Sequence, residues 1–238
     1  MKIKNIFWDV DGVLADINYA YYNFLKNYPT YAPQYKNLRW QDLDKVLPIN
    51  PIYGALDLKC HPTLGEQMDY DFCHHPEFFE NRPLYPKVIE TLRSLNQKGY
   101  RQFTLSASFD AEVKKKFLTK LLAPVTDFLT IECVGHGQFL HDTTKEGKFL
   151  ECFKKYGITP EETILVDDRI YNMHAALNVG VLPVRMRCDF TSALPQDLSW
   201  IQEVRNVEEV EKWLDDCGYL RLCRPSAQTT KMKSPTNE

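Results

Sequence analysis

Two short acidic clusters, far apart in the chain, carry residue types that could do chemistry: Asp9-Val10-Asp11-Gly12 near the start and Asp167-Asp168 much later. Each closes an apolar run that reads as a strand, Ile3 to Val10 and Thr163 to Val166. At a strand end Asp9 and Asp11 fall on the same side, because alternate residues share a face. One carboxylate could attack phosphorus while its neighbour gives a proton to the leaving oxygen and later takes one from water. Gly12 would let the backbone turn sharply beside a substrate. A calcium loop or a plain turn would also use Asp-x-Asp-Gly. The calcium version fails, since no further ligands follow at alternate positions and no Glu stands at the twelfth. Asp167 and Asp168 offer hard oxygen ligands suited to magnesium, or else acids placed to favour a helix dipole.

Other polar residues follow the same rule of position. Ser106 and Ser108 come after the short strand Phe103 to Leu105, and Lys145 and Lys148 lie in a loop leading into a helix. In an open α/β sheet ligands bind at the carboxyl ends of strands, near the switch in strand order. Acids for a metal, hydroxyls for a phosphate and a cation for its charge would therefore meet at one edge.

The elements that must position them read as an alternation. Helices are expected over Pro86 to Lys98, Ala111 to Leu122, Lys148 to Tyr156, Asn172 to Asn178 and in a last helix containing Glu208 to Trp213. Further strands are expected over Phe128 to Val134 and Leu182 to Arg185. Alternating strands and helices predict an α/β fold, a Rossmann-like three-layer parallel sheet with helices on both faces. Residues 17–82 break the rhythm: they are rich in Tyr, with Trp40, and read as a helix over Asn18 to Tyr28 followed by short helices and loops. The division is residues 1–16 and 83–217 as the core, 17–82 as an inserted helical cap, and 218–238 as a disordered basic tail or a linker to a partner or further domain.

Composition narrows the function classes. A net charge of -3 gives no pull toward nucleic acid or anionic lipid. No stretch reaches membrane-spanning length, and Asp9 and Asp11 interrupt the first apolar run before it could serve as a secretory signal. Seven cysteines without a CxxC pair suit reduced thiols in a cytoplasmic setting. The Cys60-His61 and Cys73-His74-His75 groups match no standard zinc spacing.

Four segments in order resemble the haloacid dehalogenase-like (HAD) superfamily: Trp8-Asp9-Val10-Asp11-Gly12-Val13-Leu14-Ala15-Asp16, Phe103-Thr104-Leu105-Ser106-Ala107-Ser108, Thr144-Lys145-Glu146-Gly147-Lys148-Phe149 and Leu165-Val166-Asp167-Asp168-Arg169. Pro83-Leu84-Tyr85-Pro86 is similar to the family's exit from a cap between the first two motifs. The resemblance implies a Mg2+-dependent phosphatase with Asp9 as nucleophile and Asp11 as general acid/base. Ser106 and Lys145 would bind the phosphoryl oxygens, and the metal would be held by the Asp9 carboxylate, the Asp11 backbone carbonyl and Asp168. Asp167 would stand behind them, paired with the lysine. Lys145 is taken for the motif lysine because it precedes the helix, with Lys148 the alternative. Ala107 departs from the Asn frequent after the motif serine, so substrate contacts there are expected to differ from the family's. Family dehalogenases need no acid two residues after the nucleophile, so Asp11 favours phosphatase chemistry; a phosphomutase and a non-catalytic binding module are the other readings. The aromatic insertion suggests an aryl phosphate, phosphotyrosine free or on a protein, with a nucleoside monophosphate or small sugar phosphate as the alternative. The same rings could instead pack only on each other.

Overall fold

The computed structural model describes residues 2–45, 68, 70–72, 74–108, 110–135, 145–187 and 193–217. The tail 218–238, Tyr53, Cys60-His61, Cys73, Thr144, Cys188 and Cys223 lie outside the described residues.

The wholly buried run Asn5–Trp8 forms β1, and the other strands are β2 (Arg101–Thr104), β3 (Ser106–Ala107), β4 (Leu129–Thr130), β5 (Cys133–Val134), β6 (Thr163–Asp167), β7 (Leu182–Met186) and β8 (Gln202–Val204). Among the described residues β4-β2-β1-β6-β7-β8 make one sheet and β3-β5 a second short ladder, all parallel. The chain therefore leaves β1 toward β2 on one side and returns to β6 on the other. The switch in strand order lies at β1, where the first acidic cluster ends its strand.

The helices are α1 (Ile17–Asn27), α2 (Ala32–Tyr35), α3 (Pro76–Phe79), α4 (Val88–Gln97), α5 (Ala111–Leu121), α6 (Lys145–Tyr156), α7 (Ile170–Asn178) and α8 (Val207–Cys217). Period-two alternation in β1 and β6 divides them between two layers. Ile6, Trp8, Ile164 and Val166 face one apolar cluster with α4 and α8, whereas Phe7 and Leu165 face another with α6 and α7. The three-layer α/β fold expected from the alternation is the fold observed.

Phe149 of α6 meets Phe7 edge-on, with centroids 5.1 Å apart, and Phe7 stacks on Phe103 at 4.8 Å. Burying each such ring contributes about 1.5–3 kcal/mol. Lys145 lies one turn before Phe149 on the same helix face, so this packing aims the lysine at the sheet edge.

Three local expectations are corrected, and one strand is added. The helix placed over Pro86 to Lys98 begins only at Val88, because Lys87 adopts a left-handed backbone (φ 65°) and turns the chain first. The helix placed from Lys148 begins at Lys145, so this lysine opens the helix rather than preceding it. The strand placed over Phe128 to Val134 is split into β4 and β5. Between them the Thr104 hydroxyl donates to the Glu132 carbonyl (3.0 Å) and accepts from the Glu132 amide (3.1 Å), taking both backbone groups out of the ladder. Finally, β8 was not anticipated: three residues with an exposed, half-buried and buried face give too short an apolar signal.

In the insertion, the described residues form α1, α2, α3 and a 3-10 turn over Trp40–Lys45. Its rings pack mainly on one another: Tyr21 stacks on Phe72 at 3.9 Å, and Phe24 stacks on Tyr28 at 4.9 Å. The two connecting arms are joined by Asp16 N–H donating to Pro83 O and Tyr85 N–H donating to Leu14 O, each at 2.9 Å. Among the described residues no helix is long and apolar enough to cross a membrane.

The Glu132 side chain then ties α6 to this edge of the sheet. It accepts from Lys148 (3.0 Å), Lys155 (2.8 Å) and the Tyr156 hydroxyl. Burial alone would push its carboxyl up, but these donors and their charge hold it near 2 against the usual 4.5. The depressed value means the stabilisation is full above the unfolded pKa and fades as pH falls from about 4.5 toward 2. Glu132→Gln should lower unfolding free energy at neutral pH by about 1–3 kcal/mol, and urea titrations at pH 7 and pH 3 should show a smaller difference from the native chain at the lower pH.

Candidate active site

Parallel pairing brings the two acidic clusters together. Trp8 pairs with Val166 in register, and the Asp9 amide donates to Val166 O at 2.8 Å, so Asp9 leaves the sheet next to Asp167. On the other flank the Leu105 amide donates to Trp8 O at 2.7 Å, which brings Ser106 to the same edge. Asp9, Ser106, Lys145, Asp167 and Asp168 are all buried. One oxygen each of Asp9, Asp167 and Asp168 lies within 4.8 Å of the others.

The three carboxylates are not equivalent. Asp167 has donors on both oxygens: it accepts from Lys145 Nζ (2.5 Å), Asn172 Nδ2 (2.9 Å) and the Arg169 amide (2.8 Å). Lys145 Nζ also stands 3.2 Å from Asp9 Oδ1, close enough for an ion pair but without hydrogen-bond alignment. Arg169 Nε reaches Asp168 Oδ2 at 3.1 Å. That leaves Asp9 Oδ1 and Asp168 Oδ1 buried without a hydrogen-bond partner, and the Ser106 hydroxyl likewise. Such atoms are costly unless something binds there. Two orphaned carboxylate oxygens form a hard donor set fit for a magnesium-type cation, with a free hydroxyl beside them fit to donate to an anion.

The electrostatics agree. Burial pushes the Asp9 carboxyl up to about 7, against the pull of Lys145, with Asp167, Asp168 and Asp11 adding to the rise. Burial likewise lifts Asp168 to about 6, opposed by Arg169 and reinforced by Asp167. Lys145 loses by burial but gains more from Asp167 and Asp9, and its pKa lies above the usual lysine range. Carboxylates crowded in this way gain from a further positive charge. Lys148, the alternative motif lysine, points elsewhere, to Glu132 and Glu151.

Asp11 has different neighbours. Its Oδ1 accepts from Arg82 Nη1 and its Oδ2 from Lys114 Nζ, both at 2.5 Å. Burial would raise its carboxyl, but the charges of Arg82 and Lys114 outweigh that and hold it near 2. Neither cation stood out in the sequence. Arg82 lies in the arm that closes the insertion and Lys114 in the first turn of α5, among other lysines. Their one sequence signal is weak: Lys114 occupies an inward position of an amphipathic helix.

Gly12 completes the turn with φ +80°, and a β-carbon there would lie 2.9 Å from Asp168 Oδ2. Beyond it opens a cavity of about 710 Å³ whose walls include Gly12, Val13, Trp40, Tyr85, Arg187 and Arg205.

The model of the haloacid dehalogenase-like hydrolases matches residues 3–180. No curated protein matches the chain. Solved structures similar to it include a predicted phosphatase from Clostridium acetobutylicum (17% identity, 91% of this chain and 100% of that one, TM-score 0.63). Another is a haloacid dehalogenase-like family hydrolase from Streptococcus pneumoniae (17% identity, 89% and 98% covered, TM-score 0.65). A dehalogenase with an intermediate complex is also similar (14% identity, 89% and 96% covered, TM-score 0.61). At these identities the likeness extends to the fold.

Gly12→Ala should force a left-handed alanine against Asp168 and lower stability by about 1–2 kcal/mol. Because the strain is delivered to a candidate ligand, magnesium affinity by calorimetric titration should also weaken, by about 10–100-fold.

Proposed function

The chain belongs to the haloacid dehalogenase-like hydrolases, and from that premise we propose that it is a magnesium-dependent phosphomonoesterase working through an aspartyl-phosphate on Asp9. The observation that carries the reading is the set of buried groups without a hydrogen-bond partner at one sheet edge: Asp9 Oδ1, Asp168 Oδ1 and the Ser106 hydroxyl, with the Lys145 charge beside Asp9. Magnesium, held by Asp9 and Asp168 with the Asp11 carbonyl, would supply charge neutralisation at the phosphoryl oxygens. A carboxylate of Asp9 attacks phosphorus and displaces the ester oxygen. Ser106 donates to a phosphoryl oxygen, and Lys145, fixed by Asp167, offsets the negative charge shared by nucleophile and phosphate.

Asp11 serves as the acid/base. Paired with two cations it is ionised at neutral pH, the form that takes a proton from the water attacking the aspartyl-phosphate. The first step then receives least help with its leaving group, which favours esters whose oxygen departs readily as an anion. Aryl phosphates are of that kind, and this supports an aryl substrate, phosphotyrosine free or on a protein being the concrete case. Trp40 and Tyr85 in the cavity beside Gly12 offer apolar surface for a ring, and Arg187 and Arg205 offer charge to a peptide or carboxylate. A small metabolite phosphate is the second reading, favoured by the burial of Tyr21, Phe24, Tyr31 and Phe72 within the insertion instead of along a groove. The free, buried Cys133 and Cys152 fit a cytoplasmic setting.

With magnesium, the native chain should hydrolyse 4-nitrophenyl phosphate, and Asp9→Asn should lower turnover by roughly a thousandfold or more. No turnover by the native chain, or none lost in the variant, would remove the enzymatic reading. A panel of a phosphotyrosine peptide, nucleoside monophosphates and sugar phosphates tests the substrate class. Preference for the sugars would overturn the aryl assignment and leave the phosphatase standing.

A further inference from the structure

Arg82 and Lys114 are each 1% exposed in their side chains, and between them they cover both oxygens of Asp11. They come from different parts of the chain. Arg82 reaches Asp11 because the arms Leu14–Asp16 and Pro83–Tyr85 pair with each other, which sets the end of the insertion against the acidic loop. Lys114 arrives on α5 from the core. The Arg82 guanidinium is held among Phe79, Phe72 and Phe117, with its centre 4.2, 5.3 and 5.3 Å from their ring centroids. The three rings restrict where it can move.

As structural adhesive this arrangement is expensive. Two cations are desolvated for one carboxylate, and apolar residues of like volume would commonly be as stable or more so. What the pair does provide is a fixed carboxylate. With one oxygen held from the insertion arm and the other from α5, Asp11 has a single orientation, yet each oxygen keeps a second lone pair for a water.

We propose that Arg82 and Lys114 are positioning residues that fix the Asp11 carboxylate as the base of the water-attack step. This rests on the reading of Asp9 as the phosphorylated nucleophile and Asp11 as the acid/base. In that step the water oxygen bonds to phosphorus as the bond from phosphorus to the Asp9 oxygen breaks. One water proton passes to Asp11, inorganic phosphate leaves, Asp9 returns as a carboxylate, and Asp11 later releases its proton to solvent. Neither cation touches the reacting atoms.

The step can be isolated with 4-nitrophenyl phosphate, whose leaving group needs no proton. If the cations act through Asp11, their loss slows breakdown of the phosphorylated enzyme and spares its formation. Arg82→Met and Lys114→Met should then lower kcat by about tenfold or more, with KM falling in parallel and kcat/KM little changed. A pre-steady-state burst of nitrophenolate should appear, and intact-mass spectrometry should find phosphorylated protein accumulating. Arg82→Lys, which keeps the charge, should recover part of the rate. Dividing the steady-state rate by burst amplitude gives the rate per competent site, so a partly misfolded sample still answers. Asp11→Asn should reproduce the burst, and adding Arg82→Met to it should slow the rate no further.

If kcat/KM falls instead, with no burst and KM unchanged or raised, the cations serve phosphate binding or folding and the inference is overturned. It also fails if Asp11→Asn bursts while Arg82→Met and Lys114→Met do not. If Asp11→Asn itself keeps its kcat, the acid/base reading of Asp11 fails, and the inference with it.

Discussion

The rest of the site depends on one buried ammonium. Lys145 Nζ sits 2.5 Å from Asp167 and 3.2 Å from Asp9, in a place where three carboxylates converge. Without it, like charges in a poorly solvated pocket would drive one another toward protonation. With it, both oxygens of Asp167 have donors, and the two remaining acids keep oxygens close to one another without hydrogen-bond partners. The lysine thus separates the three acids into one that holds and two that are left to act.

Everything around this group serves to bring it there. Parallel pairing of β1 with β6 supplies the acids side by side, and the Phe149 ring on Phe7, itself stacked on Phe103, orients α6 so that its first residue faces inward. Glu132 secures the same helix through Lys148, Lys155 and Tyr156. The alternative lysine is thereby occupied in anchoring the helix that carries the other one. Gly12 lets the acidic loop pass so near Asp168 that any side chain would collide with it.

Asp9 and Asp11, two residues apart, have been given opposite electrostatic environments. Asp9 is crowded by acids and raised, whereas Asp11 is enclosed by cations and lowered. Neighbouring carboxylates driven apart in this way can take different tasks in one reaction. The second environment is assembled partly from the end of the insertion, where Arg82 brings one of the two positive charges beside Asp11. Its aromatic residues, which in the sequence suggest a ligand surface, mostly form its own packed interior, and Arg82 is seated among three of those and neighbouring rings.

What the sequence determines by itself is whatever local pattern encodes. The alternation of strands and helices gives the parallel sheet, and acids directly after apolar runs give the edge where a site must lie. Asp9, Ser106, Lys145, Asp167 and Asp168 could be picked out as candidates because each stands where an apolar run ends or a helix is about to begin, and the fold brings them to one edge. Local pattern could not reveal the break between β4 and β5, since the Thr104 hydroxyl that causes it is distant in the chain from Glu132. It preferred Lys145 to Lys148 only by position relative to the helix; what separates two lysines three residues apart is that one faces Asp9 and the other Glu132. Arg82 and Lys114 were hidden for the same reason: a surface lysine and a buried one look alike until pairing of the two arms and packing of α5 bring them to Asp11. Long-range ion pairs are set by tertiary contact, and only the folded chain shows which charges meet.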